Sequence, residues 1–184
     1  MKKESKISTK QMVFSAMAIA LATVIATVIK LPSLPNGGSV TLFSMLVVSL
    51  VGYWYGPITG ISAAIGYGIL QFITGPYVVH PLQVFIDYPM AFGALGISGF
   101  FSKSRNGLLK GYIAGVIGRF FFASISGVIF YTVYVESLGE NLVAIWAALA
   151  YNMSYILPEA IITLLLLCIP GVKNALGKIK EMAL

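Results

Sequence analysis

The amino-acid sequence predicts an all-α integral membrane protein, a bundle of six transmembrane helices with both termini in the cytoplasm. Of its 184 residues, 58% are hydrophobic and 10% are charged, whereas a soluble domain carries roughly 25% charged residues. The apolar stretches are long and do not alternate with polar residues. Helices are therefore favoured over a β-barrel, because backbone polar groups in lipid need partners within the protein.

Six apolar stretches are marked in order along the chain, each compared with the roughly 20 residues that a helix needs to cross a bilayer. The second stretch is short, whereas the others approach or exceed that length. The connections between them are also short, so we expect one membrane domain over residues 1–184. The predicted helices cover residues 11–29, 40–53, 57–75, 81–101, 109–134 and 142–169.

The connection between the first two helices, Leu31–Ser39, has the sequence LPSLPNGGS. Its two prolines and its glycine pair cannot continue a helix, so the chain must turn there. Two interpretations stay open. The segment is either a lid that dips into the membrane or a plain extracellular turn.

The positions of the charged residues set the predicted orientation. Lysines and arginines precede the first helix, lie between the fourth and fifth, and follow the sixth. By the positive-inside rule, these segments face the cytoplasm. Both termini are then cytoplasmic, which six crossings satisfy, and the net charge of +6 does not indicate nucleic-acid binding. The cytoplasmic cations are Lys2, Lys3, Lys6, Lys10, Lys103, Arg105, Lys110, Lys173, Lys178 and Lys180.

Three ionisable residues fall inside apolar stretches: Asp87, Arg119 and Glu159. Each costs about 2.5–3.5 kcal/mol at mid-membrane on insertion scales, so each is a functional candidate. Asp87 precedes Pro89, which frees the carbonyl of Phe85, an arrangement that suits a pocket open to the outside. Glu159 is either a functional group or a structural partner of Arg119 or of a hydroxyl. Arg119 is either functional or extends its side chain toward the cytoplasmic surface.

Aromatic residues crowd the predicted outer ends of the helices, near Asp87 and the amide of Asn152. One interpretation is an interfacial aromatic belt, which membrane proteins commonly have. The other is a site for a flat cation, because aromatic faces attract cations and a carboxylate neutralises their charge. The aromatic residues are Tyr77, Tyr88, Phe130, Tyr131, Tyr134, Trp146, Tyr151 and Tyr155.

The sequence lacks the residues that catalysis or energy coupling would need. There is no G-x-x-x-x-G-K-[ST] phosphate cradle and no pairing of a nucleophile with a base. The single His80 and the single Cys168, which we expect to be buried, form no metal site. We therefore predict that the chain is not an enzyme and carries no cofactor. Uphill transport would need another protein or an ion gradient, for example with Asp87 and Glu159 as a proton relay.

Small residues recur every four positions along the first helix. Ala16 and Ala20 form one row, and Ala18, Ala22 and Ala26 form another. Such rows let two helices approach closely. The spacing alone does not distinguish a surface for a partner protein from packing inside the bundle.

The sequence resembles the thiamine-specific substrate-binding components of energy-coupling-factor vitamin transporters. The resemblance covers essentially the whole chain. The long stretch in the fourth helix is its most specific part. The resembling motifs are GGSVTLFSML, YVVHPLQVFIDYPMAFGALGISG, ISGVIFY and YNMSYILPE.

The resemblance implies that thiamine binds near the outer face, under the first loop. It also implies ATP-driven uptake through a membrane coupling subunit, for which Ala16 and Ala20 would form the docking surface, together with two ATPase subunits. A component for a thiamine precursor or another vitamin, or a small proton-coupled carrier, is the alternative. The implied ligand-binding residues are Tyr77, Asp87, Tyr88, Gly127 and Asn152, and we add Tyr131, Trp146 and Tyr151.

Three positions depart from the pattern of the resembling family. Ala123 stands where the family often has histidine, which removes one polar contact to the ligand. Tyr131 stands where it has tryptophan, which keeps an aromatic face. Gly38 stands where some members have a tryptophan in the first loop.

Overall fold

The computed structural model describes residues 7–34, 37–134 and 141–184, without the side chains of residues 131–134, 141 and 144. Apart from an isolated bridge between Lys30 and Thr41, these residues contain no strand, which confirms the all-α fold class. They form seven helices: α1 (Thr9–Val28), α2 (Ser44–Tyr55), α3 (Pro57–Thr74), α4 (Pro81–Phe101), α5 (Gly107–Tyr134), α6 (Asn141–Cys168) and α7 (Pro170–Ala183).

Five of the described helices, α1 and α3 to α6, are long and apolar enough to cross a membrane. The remaining predicted span, α2, has only 12 residues. It extends about 18 Å, well short of the ~30 Å hydrocarbon core. Most of α2 is buried among the other helices. The second predicted element therefore exists, but as a core helix whose start is shifted from residue 40 to Ser44.

The start of α2 is held by the carboxylate of Glu159, which belongs to α6 and is 1% exposed. Its oxygens accept hydrogen bonds from the Thr41 hydroxyl (3.0 Å), the Ser44 hydroxyl (3.2 Å) and the Met45 backbone N–H (3.0 Å). A helix start leaves unpaired N–H groups and favours negative charge. The geometry therefore favours the structural interpretation of Glu159, with hydroxyl groups as its partners.

The helix α4 is irregular where the sequence placed Asp87 and Pro89. Residues Ile86–Met90 form a π-helical turn, and Ala94–Phe101 form a 3₁₀ segment. Pro89 has no N–H to donate, and the N–H of Ala91 reaches back five residues to the Ile86 carbonyl. Such π-turns are frequent at functional sites. The turn re-aims the side chains of this part of α4.

Glycines let α4 lie directly against its neighbours. A Cβ atom on Gly96 would overlap the backbone of Gly60 and Ile61, and one on Gly99 would overlap Gly56 and Pro57. The 3₁₀ segment consequently packs backbone to backbone on α3. This contact fixes the C-terminal part of α4 against α3. The π-turn lies in the same helix, shortly before that part.

A further helix follows the sixth predicted span. α6 stops at Cys168, and Pro170 begins the amphipathic helix α7, which packs on α6 and α1. The hydroxyl of Tyr55 donates to the Ala183 carbonyl (3.0 Å) and attaches the end of α7 to α2. Charges every few residues hide this helix from a search for apolar spans. Cys168 is exposed rather than buried, because its neighbour Leu167 takes the position facing the core.

Candidate ligand-binding site

A cavity with a volume of about 520 Å³ lies between the first loop, α4, α5 and α6. That volume is within the usual range for small-molecule sites, about 300–1,000 Å³. The structure brings together six of the eight residues predicted to bind ligand. The lining includes Tyr77, Asp87, Tyr88, Gly127, Tyr151 and Asn152.

Asp87 lies on the π-turn of α4 and is oriented by a neighbouring amide. The Nε2 atom of Gln83 donates to Oδ2 of Asp87 (2.8 Å), while Oε1 of the same amide accepts from the Val79 N–H (2.8 Å). Gln83 is buried, so this chain of hydrogen bonds ties the 75–80 loop to the carboxylate. Because an amide is neutral, this contact fixes the position of Asp87 without neutralising a negative charge. The carboxylate is therefore placed to receive a cation.

Tyr88 holds the wall of the cavity in place. Its hydroxyl accepts from the Tyr77 N–H (2.9 Å) and donates to the Gly75 carbonyl (3.3 Å). Its ring meets that of Phe72 edge to face, with the ring centroids 5.3 Å apart. These contacts position the loop that carries Tyr77.

The α6 wall is built around Asn152, which is 4% exposed. Its Nδ2 atom donates to the carbonyls of Ala123 (3.2 Å) and Ala148 (2.9 Å), and its Oδ1 atom accepts from the Tyr155 hydroxyl (2.6 Å). A Cβ atom on Gly127 would lie 3.0 Å from the Ala148 Cβ. Gly127 thus allows α5 and α6 to approach, and Asn152 joins the two helices.

The described part of the first loop lies over the cavity. The Gly38 N–H donates to the Tyr151 hydroxyl (2.8 Å), and Gly37, Gly38 and Ser39 all line the cavity. A Cβ atom on Gly38 would come within 2.7 Å of the Tyr151 hydroxyl oxygen and 2.8 Å of Tyr155. A bulky residue at position 38 does not fit this arrangement, which gives a physical reason for the glycine. The contacts favour a lid over a plain turn.

Of the other two predicted ligand-binding residues, one does not line the cavity and the other has no described side chain. Trp146 is 69% exposed and does not line it. The cavity-facing side of α6 carries Ala148, Tyr151 and Asn152, and at 100° per residue Trp146 points away from it. The structure therefore gives no support to the placement of Trp146 in the site. The side chain of Tyr131 lies outside the described residues, so its contact with ligand stays a prediction.

Sequence reasoning did not foresee the place of Arg119, which lines the cavity and is 8% exposed. Its guanidinium carbon lies 4.3 Å from the centroid of the Phe92 ring. Its Nη1 atom has no hydrogen-bond partner among the described residues. The signal was present in the sequence, since Arg119, Ala123 and Gly127 follow one another at helical spacing on one face of α5.

The two alanine rows of α1 have different surroundings. Ala18, Ala22 and Ala26 are buried in the bundle, whereas Ala16 and Ala20 are exposed. The Ala18/Ala22 row therefore packs internally. Only the Ala16/Ala20 row is open to a partner, and its docking role stays a prediction.

Comparisons with known proteins agree with this arrangement. Residues 12–178 match the family described as "Thiamine transporter protein". The thiamine transporter ThiT of Bacillus subtilis (strain 168) is 30% identical in an alignment 181 residues long. The alignment covers 88% of this chain and 91% of that protein. A solved structure of ThiT from Listeria monocytogenes superposes with a TM-score of 0.66 at 25% identity, covering 88% of this chain and 96% of that one.

These matches confirm the resemblance drawn from the sequence motifs. A family of transporters also confirms the prediction that the chain is not an enzyme, and its apolar helices agree with a multi-pass protein of the cell membrane. By its sequence over nearly the whole length and by its helical arrangement, the chain belongs to the thiamine transporter protein family.

Proposed function

We propose that this protein captures thiamine from the outer face of the membrane, in the cavity under the first loop. The observation that carries the proposal is the carboxylate of Asp87, held by the neutral amide of Gln83 at 2.8 Å inside an aromatic-lined cavity of about 520 Å³. The thiazolium ring of thiamine carries a permanent positive charge. Asp87 would offset that charge, and the tyrosine rings would provide cation–π contacts.

The cavity is also lined by a positive charge, the guanidinium group of Arg119. Arg119 has a free N–H donor group among the described residues and stacks on Phe92. An acceptor on the ligand, such as the hydroxyl oxygen of thiamine, suits this donor. A ligand with a cation at one end and an acceptor at the other therefore fits the cavity better than an apolar one.

We infer that six crossings place both termini in the cytoplasm. The helix α2 is too short to cross by itself, so α2 and the segment 39–43 before it would together make the sixth crossing. The cations of the 102–106 turn and of α7 would then face the cytoplasm, as the positive-inside rule requires. The cavity lies at the opposite ends of the same helices and would open outward. Cysteine accessibility tests this orientation, since a cysteine at Lys103 should react only with a membrane-permeant reagent.

Equilibrium binding tests the ligand. The purified chain should bind thiamine on its own, and thiamine should be found by mass spectrometry of the small molecules that co-purify with it. The pyrimidine half of thiamine lacks the cation and should bind much more weakly. Equal affinity for that half would favour a precursor transporter and overturn the assignment.

For uptake, we propose that the chain works with a membrane coupling subunit and two ATPase subunits, because its sequence has no phosphate cradle. The exposed row of Ala16 and Ala20 would receive the coupling subunit. Ala16→Trp with Ala20→Trp should abolish ATP-dependent uptake in the assembled complex and leave thiamine binding unchanged. The matched pair Ala18→Trp with Ala22→Trp should instead unfold the chain, because both alanines are buried. Uptake by the isolated chain under a pH gradient would favour a proton-coupled carrier.

A further inference from the structure

A second cavity lies at the other end of the bundle. Its volume is about 290 Å³, and it lies between the end of α2, the turn before α5, the end of α6, and α7. Gly107 of α5 lines this cavity and Gly127 lines the first, with about 30 Å of helix between them. That length equals the hydrocarbon thickness. The second cavity therefore lies at the opposite membrane surface. It is here called the basic groove, and its lining includes Tyr53, Trp54, Ser104, Asn106, Lys173, Gly177 and Lys180.

Two lysines of α7 face this groove from one side of the helix. Lys173 and Lys180 are two turns apart, and Gly177 lies between them. The Nζ atom of Lys180 sits 4.1 Å from the centroid of the Tyr53 ring. The hydrogen bond from Tyr55 to Ala183 fixes α7 in this position. The fold thus holds the Lys180 cation against the ring of Tyr53, and Lys173 lines the same groove two turns earlier.

Hydrogen-bond donors complete the groove. The indole Nε1 atom of Trp54 is buried and has no acceptor among the described residues, which is rare for a buried N–H group. Asn106 adds an amide, whereas the hydroxyl of Ser104 already donates to the Phe101 carbonyl (3.1 Å). Two ammonium groups beside a neutral amide donor are the chemistry that recognises a phosphate.

The surroundings of the groove indicate where that phosphate comes from. α7 exposes Ile179 and Met182, and Leu184 directly after it is also exposed. An amphipathic helix with such residues lies in the plane of the interface. Basic pockets between helices at that level attract anionic headgroups. The turn beside the groove adds Lys103 and Arg105. A soluble phosphate compound would use the same cations but not the apolar residues of α7.

We propose that the basic groove binds the headgroup of an anionic phospholipid, with its phosphate between Lys173 and Lys180 and beside the amide of Asn106. The bound lipid would connect α7, α2 and the start of α5 at the membrane surface. This site is separate from the thiamine cavity and does not depend on the proposed ligand.

Trp54 itself can report the occupant. The chain has two tryptophans, so Trp146→Phe leaves Trp54 as the single emitter. This variant is placed in phosphatidylcholine vesicles that contain a small fraction of lipid brominated near the headgroup end of its acyl chains. Brominated phosphatidylglycerol should quench Trp54 more strongly than the same fraction of brominated phosphatidylcholine. Since each lysine near an anionic surface typically contributes about a fivefold preference, the excess should be large.

Matched variants separate the groove from general surface charge. Lys173→Gln with Lys180→Gln should remove the excess quenching. Lys110→Gln with Lys178→Gln removes the same amount of charge from residues outside the groove. This pair should retain the excess quenching. Each variant is first shown to unfold in detergent at the same temperature as the parent, which verifies folding without use of the proposed ligand.

Gly177 provides a second pair of variants. A Cβ atom there would meet nothing within 4 Å, so Gly177→Ala should fold and retain the excess quenching. Gly177→Glu places a carboxylate between the two lysines and should abolish it. Equal quenching by both lipids, or equal losses in both lysine pairs, would overturn the proposal. Relief of quenching by inorganic phosphate would assign the groove to a soluble phosphate compound and overturn the lipid assignment.

Discussion

Two carboxylates lie inside the bundle, and their surroundings differ. Glu159 is 1% exposed and accepts hydrogen bonds from two hydroxyls and one backbone N–H at the start of α2. Asp87 lines the large cavity, and Gln83 donates to one of its oxygens. A carboxylate that the protein itself surrounds with donors stabilises the fold. A carboxylate that faces a cavity is available to a ligand, so the two acids that looked alike in the sequence have different tasks.

Replacement of Asp87 is expected to have the largest effect. Asp87→Asn removes the charge that offsets the ligand cation, and loss of one partner of a buried charge pair costs about 3–5 kcal/mol. Thiamine affinity, measured by calorimetry, should fall by two or more orders of magnitude, while the thermal unfolding temperature changes little. Wild-type affinity in this variant would remove Asp87 from the site.

Replacement of Glu159 should give the reverse pattern. Glu159→Gln exchanges one acceptor oxygen for a donor that faces the donors Thr41, Ser44 and Met45, at a cost of about 1–3 kcal/mol. The unfolding temperature in detergent should fall clearly, and the thiamine affinity of the folded fraction should stay near that of the parent. Thr41→Val, which deletes a single donor, serves as a milder control. A variant as stable as the parent that fails to bind thiamine would favour a proton relay.

A smaller effect is expected for the amide that orients Asp87. Gln83→Leu keeps the volume but deletes the hydrogen bonds to Asp87 and to the Val79 N–H. The net value of a hydrogen bond is about 1 kcal/mol, and bonds to a charged group are stronger. Thiamine affinity should therefore fall about tenfold, far less than in Asp87→Asn. A loss as large as that of Asp87→Asn would mean that Gln83 contacts the ligand directly.

The smallest effect is expected at Trp146. Because this side chain is 69% exposed and points away from the cavity, Trp146→Phe should change thiamine affinity less than twofold, within the usual range of about 0.5 kcal/mol for surface substitutions. Titration of thiamine into the Trp146→Phe and Trp54→Phe variants measures this. A marked loss of affinity in the first variant would show that Trp146 reaches the ligand in the bound state.

The sequence determined much of the membrane architecture. Long apolar runs require helices in lipid, and the structure has the apolar helix Pro81–Phe101 where the sequence predicts one over residues 81–101. The charged side chains inside those runs are costly in lipid, which is why Asp87, Arg119 and Glu159 could be singled out as important. The sequence also predicts that Pro89 leaves the Phe85 carbonyl without its usual helical partner, because a missing N–H is a property of one residue.

Only the tertiary structure decided which way each side chain faces. Asp87 and Glu159 have the same chemistry in the sequence, and the packing of α6 against α2 is what surrounds Glu159 with donors. Likewise, the rotation of α1 buries Ala22 and exposes Ala20, and that of α6 turns Trp146 outward. Hydropathy is a sum along the chain, whereas rotation about a helix axis depends on contacts with neighbours that are distant in the sequence.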